Sequence, residues 1–149
     1  MSVAFLANFM HFAQQITRAE RSLALDLERN IQAQHNVDQA LLSKSSFASL
    51  LNNAFDEAIS DCDVVITNNL ITDPDDAPKT NVHLHELRMV VVIPLPDYGA
   101  IYLDQRIRRG VFTRDLVERI AQFGRALITD DQLTLTTAEM LARFETESA

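Results

Sequence analysis

Residues 83–86 hold the only cluster of metal-ligating types in the chain, His83-x-His85-Glu86. On an extended strand His83 and His85 would project to one face, as two ligands must. A zinc site needs at least three protein ligands, and no cysteine or aspartate stands at helical or hairpin spacing beside the pair. His11 and His35 are distant in sequence. The two histidines are therefore read as lining a pocket or lying in solvent, and no metal is expected. Cys62 is the single cysteine and sits between Asp61 and Asp63, near a helix C-terminus. Negative charge there opposes the thiolate that a nucleophile requires. Arg106, Arg108 and Arg109, before Gly110, form the one basic run of the chain. With the start of a helix near Thr113 they could hold an anion, although a solvated turn is the simpler reading. No carboxylate joins a Ser-His or Cys-His pair. The three glycines, Gly99, Gly110 and Gly124, make no phosphate-cradling loop. No catalytic residue is expected, and an NTPase, kinase or nucleotide-binding oxidoreductase is not expected either.

The composition narrows the class further. A chain of 149 residues, 47% hydrophobic and 23% charged, suits one globular domain. A domain of that size buries roughly 70% of the surface its unfolded chain exposes, so it needs no staples. One cysteine rules out an internal disulfide and fits a reducing compartment. The net charge of −8, with only two lysines, Lys44 and Lys79, argues against a nucleic-acid surface and an anionic membrane. No apolar run approaches the ~18 residues of a membrane helix. The N-terminus carries no basic segment or cleavage site of a signal peptide. A cytoplasmic setting is expected.

The elements that must position these residues are legible from periodicity. Residues 3–17 predict a helix, with Phe5, Phe9, Phe12 and Ile16 at i, i+4, i+7 and i+11 along one seam. The seam either packs on its own domain or meets a second chain. Leu23 to Leu27 alternates, Ile31, Ala33 and His35 alternate again, and together they predict a strand hairpin. Ser45 or Ser46 can cap a helix whose apolar face includes Phe47, Leu50, Leu51, Ala54, Phe55, Ala58 and Ile59. Val64 to Thr67 predicts a short strand, residues 68–82 a polar loop, and Val82 to Leu87 a helical turn. Met89 to Leu95 is a valine-rich run of the kind buried on both faces. Pro96-Asp97-Tyr98-Gly99 is turn chemistry, with proline presetting φ and glycine tolerating a positive φ. Ala100 to Asp104 returns as a strand. Thr113 is a helix cap, with Asp115 near the positive end of the dipole. Leu116, Ile120, Phe123 and Leu127 form the stripe of that helix. From Asp131 the pattern weakens. Thr136-Thr137 offers a cap and Met140, Leu141 and Phe144 a weak apolar face, which predicts a short helix, a linker or a frayed end.

The order Ile93-Pro94-Leu95, Gly99, Ile101-Tyr102-Leu103-Asp104, Phe112-Thr113 and Asp115-Leu116 resembles the C-terminal half of a GAF domain. Ala19-Glu20-Arg21, between the first helix and first strand, extends the resemblance to residues 18–128. It implies an α+β fold of GAF/PAS-like, profilin-like type: a central antiparallel sheet of five to six strands flanked by helices. The first and last helices would cover one face, and the middle helix and loops the other. The domain would span residues 1–130, with 131–149 a C-terminal extension or linker. The resemblance implies a sensory or regulatory domain of a signalling or transcription-regulating protein. It would bind an unidentified small molecule, with no certain cofactor. Thr67, Asn68, Asn69, His83, His85, Arg88 and Tyr102 are the expected pocket residues. It also implies a homodimer through the terminal helices, with Phe5, Phe9, Phe12, Ile16, Ile120 and Leu127 at the seam. A pure dimerisation module, its pocket filled by its own side chains, is the alternative, and an enzyme of the same architecture a third reading. Bilin-binding members attach chromophore at a Cys-His pair, whereas Cys62 is followed by Asp63. The methionine sulfoxide reductases of this fold use several cysteines. Leu51-Asn52-Asn53-Ala54-Phe55-Asp56-Glu57 superficially matches the cyclic-nucleotide signature of some members. Its spacing is too compressed, so Phe55 is read as core and Asp56 and Glu57 as solvated.

Overall fold

The computed structural model describes residues 2–70, 87–107 and 112–148. In chain order the elements are α1 (Ser2–Thr17), β1 (Arg21–Asp26), β2 (Ile31–His35), α2 (Gln39–Leu42), α3 (Ser45–Asp61) and β3 (Val65–Leu70). β4 (Leu87–Leu95), β5 (Gly99–Arg106), α4 (Arg114–Thr129) and α5 (Thr137–Ser148) follow. The class is α+β. Among the described residues the five strands form one open antiparallel sheet in the order β2-β1-β5-β4-β3.

Helices cover both faces of this sheet, which explains why the central strands lack a polar side. Along β4, Met89, Val91, Ile93 and Leu95 join one core with Ile101 and Leu103 of β5 and the apolar faces of α1, α4 and α5. Val90 and Val92 point the other way, to a second core with Leu23, Leu25, Ala100 and Tyr102 beneath α2 and α3. A period-2 strand between two apolar layers must be apolar at every position. Leu27, expected to continue the β1 alternation, lies in the turn after β1 and is 49% exposed.

Several local signals act as expected and others are displaced. The Thr113 side chain accepts from the Leu116 amide at 3.1 Å and caps α4. α3 starts at Ser45, and its N-cap position is Lys44, which makes no side-chain cap bond, in place of the expected Ser45 or Ser46. The reason is the unforeseen turn of α2, capped by Asp38 and leading directly into α3. In the β4–β5 turn the Tyr98 amide donates to the Leu95 carbonyl, Asp97 takes a φ of 72°, and Gly99 takes the expected positive φ, at 153°. Gly99 is needed for a second reason as well. A Cβ there would stand 1.9 Å from the Leu25 carbonyl oxygen on the neighbouring strand. Gly124 performs the same service for α4: a Cβ would meet Leu95 at 2.7 Å and Phe9 at 2.9 Å. β3 runs three residues beyond the expected Thr67, to Leu70. The helical turn predicted over Val82 to Leu87 falls largely outside the described residues, where only Leu87 is seen, and Leu87 begins β4.

The short helix expected in the C-terminal segment is present as α5, and it packs into the core of the domain. Thr136 and Glu139 form a reciprocal capping box, with Thr136 amide to Glu139 at 3.0 Å and Glu139 amide to Thr136 at 3.1 Å. These bonds hold the exposed Glu139 carboxyl below its usual pKa. α5 then lays Met140 and Phe144 over α1 and α4. The Phe144 ring lies edge-on to Phe12 and Phe123, at 5.3 and 5.4 Å. Thr137 also bonds the Asn8 carbonyl of α1. A boundary at residue 130 would divide one hydrophobic core.

The same packing corrects the expected dimer seam. Phe5, Phe9, Phe12, Ile120 and Leu127 are buried within the single chain, and Ile16 packs against the same cluster. Phe5 meets Tyr98, and Phe12 meets Phe123 and Phe144. The apolar stripe is satisfied by the sheet, α4 and α5, so these side chains are not free to meet a second chain.

Candidate functional site

The side of the sheet beneath α3 changes character along its length. One cross-strand row holds Val65, Val92, Tyr102 and Leu23. The next, toward the end of β5, holds Thr67, Val90, Asp104 and Arg21. One step further, Asn69 pairs with Arg88 and Arg88 with Arg106. Residues two apart on a strand share a face, so the apolar layer ends in a band of three arginines and one aspartate.

Asp104 is the hub of that band and is fully buried. One carboxylate oxygen accepts from Arg88 at 2.9 Å and lies 3.2 Å from Arg21 Nε. The other accepts the Tyr102 hydroxyl at 2.5 Å. Arg88 and Arg21 are themselves only 4% and 7% exposed. Glu20 borders the cluster. It accepts the Arg106 backbone amide at 2.7 Å and stands 3.5 Å from Arg88 and 3.8 Å from Arg106 Nε. Burial pushes the Asp104 carboxyl above the usual carboxylate range, against the pull of Arg21, Tyr102 and Arg88. Burial likewise lowers the Arg88 guanidinium, against the attraction of Asp104. Both shifts say that desolvation outweighs pairwise attraction, as expected for charges held this deep. Tyr102 is pushed well above the ordinary tyrosine range, first by burial and then by the adjacent Asp104 charge and bond. A hydroxyl so fixed is a donor to Asp104 and does not serve as a base.

Beside this band an open groove of about 430 Å³ runs between α3 and the edge strand β3. Leu50, Asn53, Ala54 and Glu57 line it from α3, at i, i+3, i+4 and i+7, which is one helical stripe. Val65 and Thr67 line it from β3. The volume lies in the range of small-molecule sites, and the lining divides evenly between apolar Leu50, Ala54 and Val65 and polar Asn53, Glu57 and Thr67. Away from the groove the space beneath α3 is filled. Phe47 stands edge-on to Tyr102 at 5.5 Å, and Leu23, Leu25, Leu41 and Phe55 close the remainder.

The expected pocket residues thus separate. Thr67 lines the groove, whereas Arg88 and Tyr102 are committed to the buried Asp104 network. Asn68 and Asn69 lie on β3 opposite Met89 and Arg88; only their backbones are described. His83, His85 and Glu86 lie outside the described residues, as do Arg108, Arg109 and Gly110. Cys62 is exposed and takes the left-handed conformation that ends α3, its thiol bonded weakly to the Ile59 carbonyl. Among the described residues no three His, Cys, Asp or Glu side chains gather as a metal site would require. No helix there is long and apolar enough to cross a membrane. Phe55 is core, and Asp56 is exposed and pairs with Arg29. Sequence reasoning missed Arg21, Asn53 and Glu57 as site residues. Arg21 had a signal: it stands in phase with Leu23 and Leu25, so it is a charge on an apolar strand face.

Comparison of the chain with protein-family models, with curated proteins and with solved structures finds no match. The fold defines the class: an α+β domain whose open antiparallel sheet carries helices on both faces.

Proposed function

We propose that the chain is a regulatory, sensory domain of the GAF class. In this reading it takes a small molecule in the α3–β3 groove, performs no catalysis and works as a homodimer within a signalling or transcription-regulating system. The observation that carries this reading is the groove lined by Leu50, Asn53, Ala54, Glu57, Val65 and Thr67. The layer arrangement supports it as well, with terminal helices on one face and the middle helix on the other, as the resemblance implies. A ligand biases such a domain only to the extent that it prefers one arrangement of the groove walls. A contiguous route leads from α3 to the N-terminal helix: Phe47 packs on Tyr102, Tyr102 bonds Asp104, and Asp104 holds Arg21, three residues beyond Arg18, which follows α1.

A second reading, an interaction module without a ligand, is favoured by the filling of the space beneath α3 with Phe47, Phe55, Leu23 and Leu25. The experiment that separates the two is a thermal-shift screen of small metabolites against the wild type and Asn53→Trp. Asn53 is exposed on the groove wall, so tryptophan fills the groove without entering the core. Compounds that stabilise the wild type and leave Asn53→Trp unmoved support the sensor. A screen in which no stabilising compound depends on Asn53 overturns it. Native mass spectrometry of the same samples reports oligomeric state and any retained ligand.

A further inference from the structure

We propose that the arginine end of the sheet, formed by Arg21, Arg88 and Arg106 about Asp104 and Glu20, is a binding site for a single oxyanion, a carboxylate or phosphate group. Three observations carry it. The first is charge. Among the described residues the cluster gathers three guanidinium groups and two carboxylates, one positive charge more than negative, and Arg21, Arg88 and Asp104 of that set are buried. An uncompensated charge held away from water is costly unless an opposite charge joins it.

The second observation is an unmet donor. Arg21 spends Nε on Asp104, while its Nη2 is buried without any hydrogen-bond partner. Asp104 has little capacity left for it, since one oxygen already serves both Arg21 and Arg88 and the other the Tyr102 hydroxyl. Buried donors left unmatched are rare in folded proteins, and a guanidinium is the group best shaped for two parallel bonds to an oxyanion.

The third is access and looseness. Arg88 and Arg106 face each other in register across β4 and β5, and Arg106 is 32% exposed, so the cluster opens to solvent on that side. Glu20 holds these two guanidinium groups only at 3.5 and 3.8 Å, longer than the 2.7–2.9 Å of a well-formed charged bond. An incoming oxyanion on Arg88 and Arg106 therefore competes with a weak partner. Thr67 of the groove lies in the same cross-strand row as Asp104, two strands or about 10 Å away. The oxyanion site is distinct from the groove and does not depend on the sensor reading.

The test is a thermal-shift and isothermal-calorimetry titration of the whole chain with inorganic phosphate and, separately, acetate, ionic strength being held constant with sodium chloride. One saturable site per chain is expected for at least one probe. Arg106→Gln, at the exposed side of the cluster, is expected to weaken it by about tenfold, the worth of one charge-assisted bond. Arg114→Gln, on the surface of α4, is expected to leave it unchanged. Response to phosphate alone identifies a phosphoryl ligand, and response to both a general oxyanion site. The absence of a saturable site for either probe overturns the proposal, as does equal binding by wild type and Arg106→Gln. Arg21→Gln is a companion variant whose fold is checked first by circular dichroism. A folded Arg21→Gln chain that binds as tightly as wild type also overturns it.

Discussion

Asp104→Asn removes one charge and keeps the shape, and the structure fixes what it should cost. Asp104 is wholly buried and accepts from Arg88 at 2.9 Å and Tyr102 at 2.5 Å, with Arg21 Nε at 3.2 Å. Asparagine keeps a single acceptor oxygen and turns an amide donor toward a guanidinium or hydroxyl donor. The buried Arg21 then loses the charge of its partner Asp104, and the buried Arg88 keeps only Glu20 at 3.5 Å. Breaking a buried ion pair by removing one partner costs about 3–5 kcal/mol, because the remaining charge is stranded. That is a large part of the ~5–15 kcal/mol that holds a domain together. In a chain of this length it lowers Tm by about 6–20 °C, at roughly 2–4 °C per kcal/mol. The assay is equilibrium urea unfolding at neutral pH, read by circular dichroism, with the midpoint shifting at constant slope. Glu118→Gln is the internal comparison. It breaks the exposed Arg114–Glu118 pair at 3.0 Å, whose side chains are 62% and 46% accessible, and should cost at most ~1 kcal/mol. A loss of less than about 1 kcal/mol in Asp104→Asn would falsify the view that Asp104 neutralises the arginine end.

Two further perturbations test other parts of the fold. Phe144→Ala should cost about 3–5 kcal/mol, since its ring packs edge-on to Phe12 and Phe123 in a shared core; a chain unmoved in urea midpoint would show that α5 lies outside the cooperative unit. The folded-state pKa of Tyr102 is raised by burial, so the folded chain retains a proton that the unfolded chain releases near pH ~10. Its contribution is whole below that pH and is lost as pH rises above it. Tyr102→Phe should therefore show a shallower decline in unfolding free energy at alkaline pH, by up to ~1.4 kcal/mol per pH unit. Identical slopes for the two proteins would contradict the buried Tyr102–Asp104 bond.

What was legible in the sequence was local. Met89 to Leu95 announced a strand covered on both faces because every position is apolar, and Thr113 announced the start of α4 because its hydroxyl reaches the Leu116 amide. The Pro96-Asp97 turn was legible as a turn with a positive φ at Gly99, though the positive φ of Asp97 depended on the register of β4 and β5. The candidate site was legible only in part. Thr67 was placed on a groove, whereas Arg88 and Tyr102 turned out to spend their polar atoms on Asp104.

The phenylalanine seam of α1 shows where the line falls. Spacing established that Phe5, Phe9 and Phe12 share a face and that something apolar must cover it. It could not say what, because hydrophobic burial is non-directional and is satisfied equally by a second chain or by the same one. Only the tertiary structure decided for the same chain, by folding α5 back so that Phe144 reaches Phe12 and Phe123. The sequence determined the longer strands and helices and the faces that must be hidden, since those follow from neighbours a few residues apart, while the short turn of α2 and the full length of β3 did not show in it. The tertiary structure decided the meeting of Arg21, Arg88, Asp104 and Glu20 and the α3–β3 groove, because both join segments far apart in the chain.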